Sequence, residues 1–151
     1  MHPDNTKSLK LVLSMAERAE SEAASQFKQQ RQQLQAQTRQ LQQIVDYQQE
    51  YANQINQLGS NNAQQMMSQR NFLSQLQQLQ QTQSEAVELL KAQTDKAESA
   101  WHKLYQRRKR LTELLEQVER EIDQERQKVI QKELDEISRC MHASSNRLEF
   151  R

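Results

Sequence analysis

The residues able to do acid–base, nucleophilic or metal chemistry are few and badly spaced for it. The histidines are His2, His102 and His142, and the single cysteine is Cys140. Cys140 and His142 are two positions apart, ~200° around a helix of 3.6 residues per turn, so they make a poor ligand pair. The remaining histidines supply no tetrahedral set. A phosphate-cradling loop needs several glycines, and Gly59 is the only one. Asp and Glu pairs occur, but a thin helical chain offers no pocket that would set one carboxyl apart from its neighbour. These observations predict a protein without catalysis, cofactor or metal. The chemistry that remains is docking: apolar and aromatic side chains to bury, and blocks of charge to orient a partner.

Composition bounds what can present those surfaces. The chain has 151 residues, of which 34% are hydrophobic, with one Trp, three Tyr and three Phe. Globular domains carry roughly 45–50% apolar residues, so a thick core is excluded and an elongated helical form is favoured. The net charge of +1 gives no global field toward nucleic acid or membrane. One cysteine rules out an internal disulfide and suits a reducing compartment. The run Leu9 to Met15 is interrupted by Lys10 and Ser14, too short and polar for a membrane span or a signal core. The expected location is the cytoplasm.

Two punctuation marks set the architecture. The only proline is Pro3, and the only glycine, Gly59, sits in Leu58-Gly59-Ser60-Asn61-Asn62. Glycine takes the left-handed position past a helix end, and Ser60, Asn61 or Asn62 can cap the next helix. The reading is one hairpin over residues 1–151: a helix over 5–58 capped by Asp4, Asn5 or Thr6, a turn at 59–63, a helix over 64–141, and a frayed tail at 142–151. The fold class is all-α, an elongated two-helix antiparallel coiled coil with a C-terminal helix overhang.

A seven-residue repeat supports the coiled coil. In the first helix one row is Leu9, Ala16, Ala23, Gln30, Gln37, Ile44, Tyr51 and Leu58, and the other is Leu13, Glu20, Phe27, Leu34, Leu41, Gln48 and Ile55. The polar members can fix register. In the second helix one row is Leu76, Gln83, Leu90, Ala97, Leu104, Leu111 and Val118. The other is taken as Phe72, Leu79, Ala86, Gln93, Ala100, Arg107 and Leu114. Folding near residue 62 places Leu9 beside the neighbourhood of Leu115. Beyond about residue 120 the second helix then has no intrachain partner for ~20 residues, or ~30 Å. That stretch still carries Ile122, Val129, Ile130, Leu134, Ile137 and Met141, an apolar stripe that needs a partner.

Charge divides the chain as well. Residues 26–83 hold 23 glutamines and six charges, whereas residues 85–139 hold 25 charges. Glutamine is a fair helix former, so the first region reads as solvated helix. The basic cluster Lys103, Arg107, Arg108, Lys109 and Arg110 is followed by Glu113, Glu116, Glu119, Glu121, Asp123 and Glu125. Basic then acidic blocks suit a partner surface with its own charge pattern. Nucleic acid is a poor fit, since no aromatic residues interleave the cluster and the acidic block adjoins it. A membrane-lying helix is poorer still, because Lys and Arg do not gather opposite a continuous apolar face.

One block is more specific than a heptad. Ile44-Val45-Asp46-Tyr47-Gln48-Gln49-Glu50-Tyr51 resembles the "hydrophobic, hydrophobic, Asp, Tyr, Gln, x, Glu, Tyr" block of the FliJ family of flagellar type III export proteins. Phe72 with Leu76, Trp101 followed by basic residues, and Leu134-Asp135-Glu136 extend the likeness over about Gln40 to Arg139. The resemblance implies a non-catalytic stalk of the flagellar export apparatus. Its open end enters a hexameric export ATPase and its turn end reaches the cytoplasmic domain of the membrane export gate. It also implies binding and cycling of export chaperones, and a cytoplasmic location held peripherally at the inner membrane of the flagellar base through those partners. By position it carries over a gate-contacting set of Gln40, Ile44, Tyr47, Tyr51, Phe72, Leu76, Leu79 and Gln83; Gln83 stands where some relatives have histidine. Tyr47 lies off the seam and is the member expected to be free for contact. For the ATPase, geometry and charge nominate Leu9, Leu13, Arg107, Arg108, Lys109, Arg110, Ile122, Val129, Ile130, Leu134 and Ile137. The alternative is a holdase-type or self-assembling structural coiled coil that uses the same stripe.

Overall fold

The computed structural model describes residues 3–59 and 62–149, without the side chains of Pro3, Asp4, Leu58 and Glu149. The described chain is two α-helices, α1 (Pro3–Leu58) and α2 (Ala63–Glu149). Gly59 is the break between them. Its φ of +63° is left-handed, and its N–H donates to Ile55 O at 3.2 Å, which closes the end of α1. Of the three possible caps for α2, Asn62 is seen to act: its Oδ1 accepts from Gln65 N at 2.8 Å. Met66 N donates to Asn62 O at 3.2 Å, the first bond of the new helix. Ser60 and Asn61 lie outside the described residues.

Both outer boundaries differ from expectation. α1 already includes Pro3, whose fixed φ and missing N–H suit a first helical position. Asn5 and Thr6 are therefore inside the first turn and do not cap it; the expectation for Asp4 falls on a side chain outside the described ones. Thr6 Oγ1 is buried with no partner. α2 continues through the expected frayed tail to Glu149. Ser144, Ser145 and Asn146 each weaken a helix by only a few tenths of a kcal/mol, and no glycine or proline follows to stop it.

Contacts divide the chain into two units, Met1–Arg18 with Tyr105–Arg151, and Ala19–Leu104. In the second unit the helices run antiparallel, as four pairings show. Tyr51 meets Phe72, Gln37 meets Gln83, Gln30 lies beside Thr94, and Phe27 stacks on Trp101 with ring centroids 6.1 Å apart. In the first unit Leu9 and Val12 lie beside Leu114 and Val118. Lys10 Nζ sits 3.8 Å from a Glu119 carboxylate, an exposed pair that adds little stability.

Every described residue of the two α1 rows is buried or half-buried, Glu20 and the glutamines included. The first α2 row, Leu76 to Val118, is likewise inward. The second α2 row is not the expected one. Leu79, Gln93, Ala100, Arg107 and Leu114 are exposed, and the inward row is Leu73, Gln80, Val87, Thr94, Trp101, Arg108, Leu115 and Ile122. Val87, Thr94 and Val118 are among the few buried side chains, at 4–6% exposure. The Leu76 row is flanked by apolar residues on both sides, and α1 packs on the side that holds Val87 and Trp101.

Polar seam positions are resolved in two ways. Gln83 Nε2 donates to Gln37 Oε1 at 2.6 Å and to Gln37 O at 3.1 Å, a closed polar layer. Thr94 Oγ1 donates back to Leu90 O at 2.7 Å and leaves nearby Gln30 Oε1 buried without a partner.

Candidate functional site

Two surfaces carry the nominated residues, one in each unit. In the Ala19–Leu104 unit, residues 40, 44, 47 and 51 of α1 fall on one helix face by their 3- and 4-residue spacing. Phe72 anchors them from α2: its ring meets Tyr51 edge-on at 4.6 Å and Tyr47 at 6.3 Å. Its off-seam position led to the expectation that Tyr47 is free of intrachain contact; instead it touches Phe72, although half of its surface remains open. Edge-to-face pairs of this kind add about 0.5–1.5 kcal/mol beyond area burial.

The eight residues nominated for the gate do not form one exposed patch. Gln40, Tyr47 and Leu79 are exposed, and Ile44, Tyr51, Phe72 and Gln83 are half-buried. Leu76 is buried at 8% exposure and packs the seam. Gln83 is held by Gln37. The corrected phase of α2 moves Leu79 from the seam to an open flank, seven residues and two helical turns from Phe72. Met66 and Met67, at the start of α2, are also exposed and were not nominated. Met67 falls on neither inward row, a signal available in the sequence, whereas Met66 continues the Leu73–Gln80 row by seven residues and is still exposed.

In the other unit the end of α2 is bare. Residues 123–148 are all exposed, so Ile122 is the last residue of α2 with a half-buried side chain, close to the expected limit. Val129, Ile130, Leu134 and Ile137 are each 55–57% exposed, and Met141 and Leu148 are more so. A shallow groove of about 530 Å³ runs along Glu133, Glu136, Ile137, Cys140, Met141 and Ser144. The basic cluster splits: Arg107, Lys109 and Arg110 are exposed, whereas Arg108 turns inward with its guanidinium 5.1 Å over the Tyr105 ring. Arg108 thus takes the seam position expected of Arg107. Leu9 and Leu13 are half-buried against α2, and the outward α1 residues are Leu11 and Met15. Those two sit four apart on the face opposite the seam, a spacing legible in the sequence but not singled out.

Among the described residues no group of three or more His, Cys, Asp or Glu is arranged to hold a metal ion. Among the same residues no helix is long and apolar enough to cross a membrane.

The sequence model of the flagellar FliJ protein family matches residues 6–147. The chain belongs to that family. It is a coiled-coil helical component of the flagellar export apparatus, and the family is non-catalytic. The matched span takes in both helices, the Gly59 turn and nearly all of the bare end of α2. No curated protein and no solved structure matches the chain.

Proposed function

We propose that this FliJ-family chain is a cytoplasmic, stalk-like adaptor that joins a hexameric flagellar export ATPase to the cytoplasmic domain of the membrane export gate and cycles export chaperones. The observation that carries the reading is the bare end of α2, where residues 123–148 keep an apolar stripe that α1 does not cover. An uncovered stripe of this size marks a docking helix. The ATPase-facing group on this reading is Val129, Ile130, Leu134 and Ile137, with Arg107, Lys109 and Arg110 as the exposed charges that orient it. Leu9, Leu13, Arg108 and Ile122 support that end by packing it. The gate-facing group is Gln40, Tyr47 and Leu79, shaped from beneath by Ile44, Tyr51 and Phe72; Leu76 and Gln83 act through the seam.

Co-purification with the flagellar export ATPase tests the carrying observation. Removal of residues 123–151 takes away the stripe but leaves Ile122 and the Lys10–Glu119 pair in place. The truncated chain is expected to keep its folded hairpin and lose the ATPase. Retained ATPase binding by the truncated chain rules out docking through this end.

A further inference from the structure

The bare end of α2 has a second property, visible in how its residues wind. At 3.6 residues per turn, Ile130, Leu134, Ile137, Met141 and Leu148 all lie roughly 60–120° around the helix from Ile122. Val129 stays nearly in line with Ile122. The stripe is therefore rotated about a quarter turn from the seam, and a longer α1 would not have covered it. Its spacing of four, three, four and then seven is a heptad of its own, with Ser144 at the one position that lacks a large side chain.

The charges along one edge of that stripe are Arg126, Glu133 and Arg147, with Cys140 between the last two. Their order is self-complementary in one direction only. When two copies lie antiparallel and cross near Cys140, Glu133 of each meets Arg147 of the other, twice by symmetry. In the same register Ile130 faces Leu148, Leu134 faces Ser144, and Ile137 faces Met141. Sliding by one heptad sets Arg126 against Arg147, and by two sets Glu133 against Glu133. Sliding the other way by one heptad sets Cys140 against Arg147 and takes Arg147 away from Glu133. The other edge, Gln131, Ser138 and Ser145, is uncharged and excludes none of these registers.

There is room for this arrangement. The overlap spans residues 130–148, whereas the start of α1, with Thr6 and Lys7, packs near Ile122 to Arg126. The five stripe side chains are 55–73% exposed. At on the order of 100 Å² each, two copies would bury roughly 1,000 Å², the low end for a specific interface.

We propose that the end of α2 is a self-docking helix, on which a second copy of this chain packs antiparallel in the register that joins Glu133 to Arg147 and brings the two Cys140 residues together. The dimer is weak and reversible, with dissociation expected at tens of micromolar. It covers Ile130, Leu134 and Ile137 of the proposed ATPase contact, so the two occupants exclude each other. The test uses this chain alone, and so its result is separate from the outcome with the ATPase.

Sedimentation equilibrium from about 1 to 500 µM reads the association. Charge reversal tests the register. Glu133→Arg and Arg147→Glu each turn two attractions into repulsions and are expected to weaken the dimer by roughly tenfold or more. The two together restore attraction and are expected to return it to within about threefold of the parent. A short bis-maleimide should join Cys140 to Cys140 of the second copy in the parent, and Ile137→Asp should abolish that product. All four positions are exposed, so circular dichroism should show unchanged helix. A monomer throughout the concentration range overturns the proposal. So does a dimer indifferent to Ile137→Asp, or a double reversal no tighter than the single ones.

Discussion

The Gln37–Gln83 layer allows a quantitative test of the seam. Gln83 Nε2 donates both to Gln37 Oε1 and to Gln37 O, at 2.6 and 3.1 Å, in a half-buried setting. A net hydrogen bond in a folded protein is worth about 0.5–1.5 kcal/mol, and an acceptor left unpaired in the seam costs more than that mean. Gln83→Ala removes both bonds and a packed stem, and should cost about 2 kcal/mol. Gln37→Ala removes one bond and spares the backbone acceptor, for about 1 kcal/mol. Because the side-chain bond is shared, the double alanine variant should cost about 1 kcal/mol less than the two singles combined. Leucine at both positions removes the donor and acceptor together and adds apolar burial, so that variant should gain about 1–2 kcal/mol. Urea unfolding followed by Trp101 fluorescence is the suitable assay, because Trp101 belongs to the same unit and stacks on Phe27. Additive alanine costs would show that the two glutamines do not meet. A destabilised double leucine variant would show that shape, and not polarity, governs this layer.

Three other outcomes follow from single features. Gln30 Oε1 is buried without a partner, so Gln30→Leu should stabilise the Ala19–Leu104 unit by about 1–2 kcal/mol in the same urea assay. Gly59 has open space where a Cβ would go but a φ of +63°, so Gly59→Ala should cost about 1 kcal/mol, from backbone strain alone, in thermal unfolding. If export-gate binding uses the open flank, Tyr47→Ala should weaken it at least tenfold in calorimetric titration while Leu76→Ala lowers stability first; equal affinity for the Tyr47 variant would remove that residue from the surface.

Much of the candidate surface could be read from residue types and spacing. The bare end of α2 followed from the off-centre glycine, since unequal arms must leave one uncovered. The Tyr47, Tyr51 and Phe72 cluster followed from their positions on either side of the turn. What could not be read is which of these side chains the fold itself consumes. Tyr47 is partly used by Phe72, Arg108 by Tyr105, and Gln83 by Gln37. Such pairings depend on which atoms meet across two helices, and a repeat along one helix carries no information about them.

The amino-acid sequence by itself determined that there are two helices, where they part, and which face of α1 turns inward. One glycine with no competing breaker leaves a single place for a left-handed residue, and α1 has only one apolar face that runs its whole length. Only the tertiary structure decided the face of α2. Its central row from Leu76 to Val118 has an apolar neighbour row on each side, Phe72-Leu79-Ala86 on one and Leu73-Gln80-Val87 on the other. The hydrophobic effect is non-directional and favours either side. Close packing against α1 is directional, and it seats Val87, Thr94 and Trp101 inward while leaving Leu79 on the open flank.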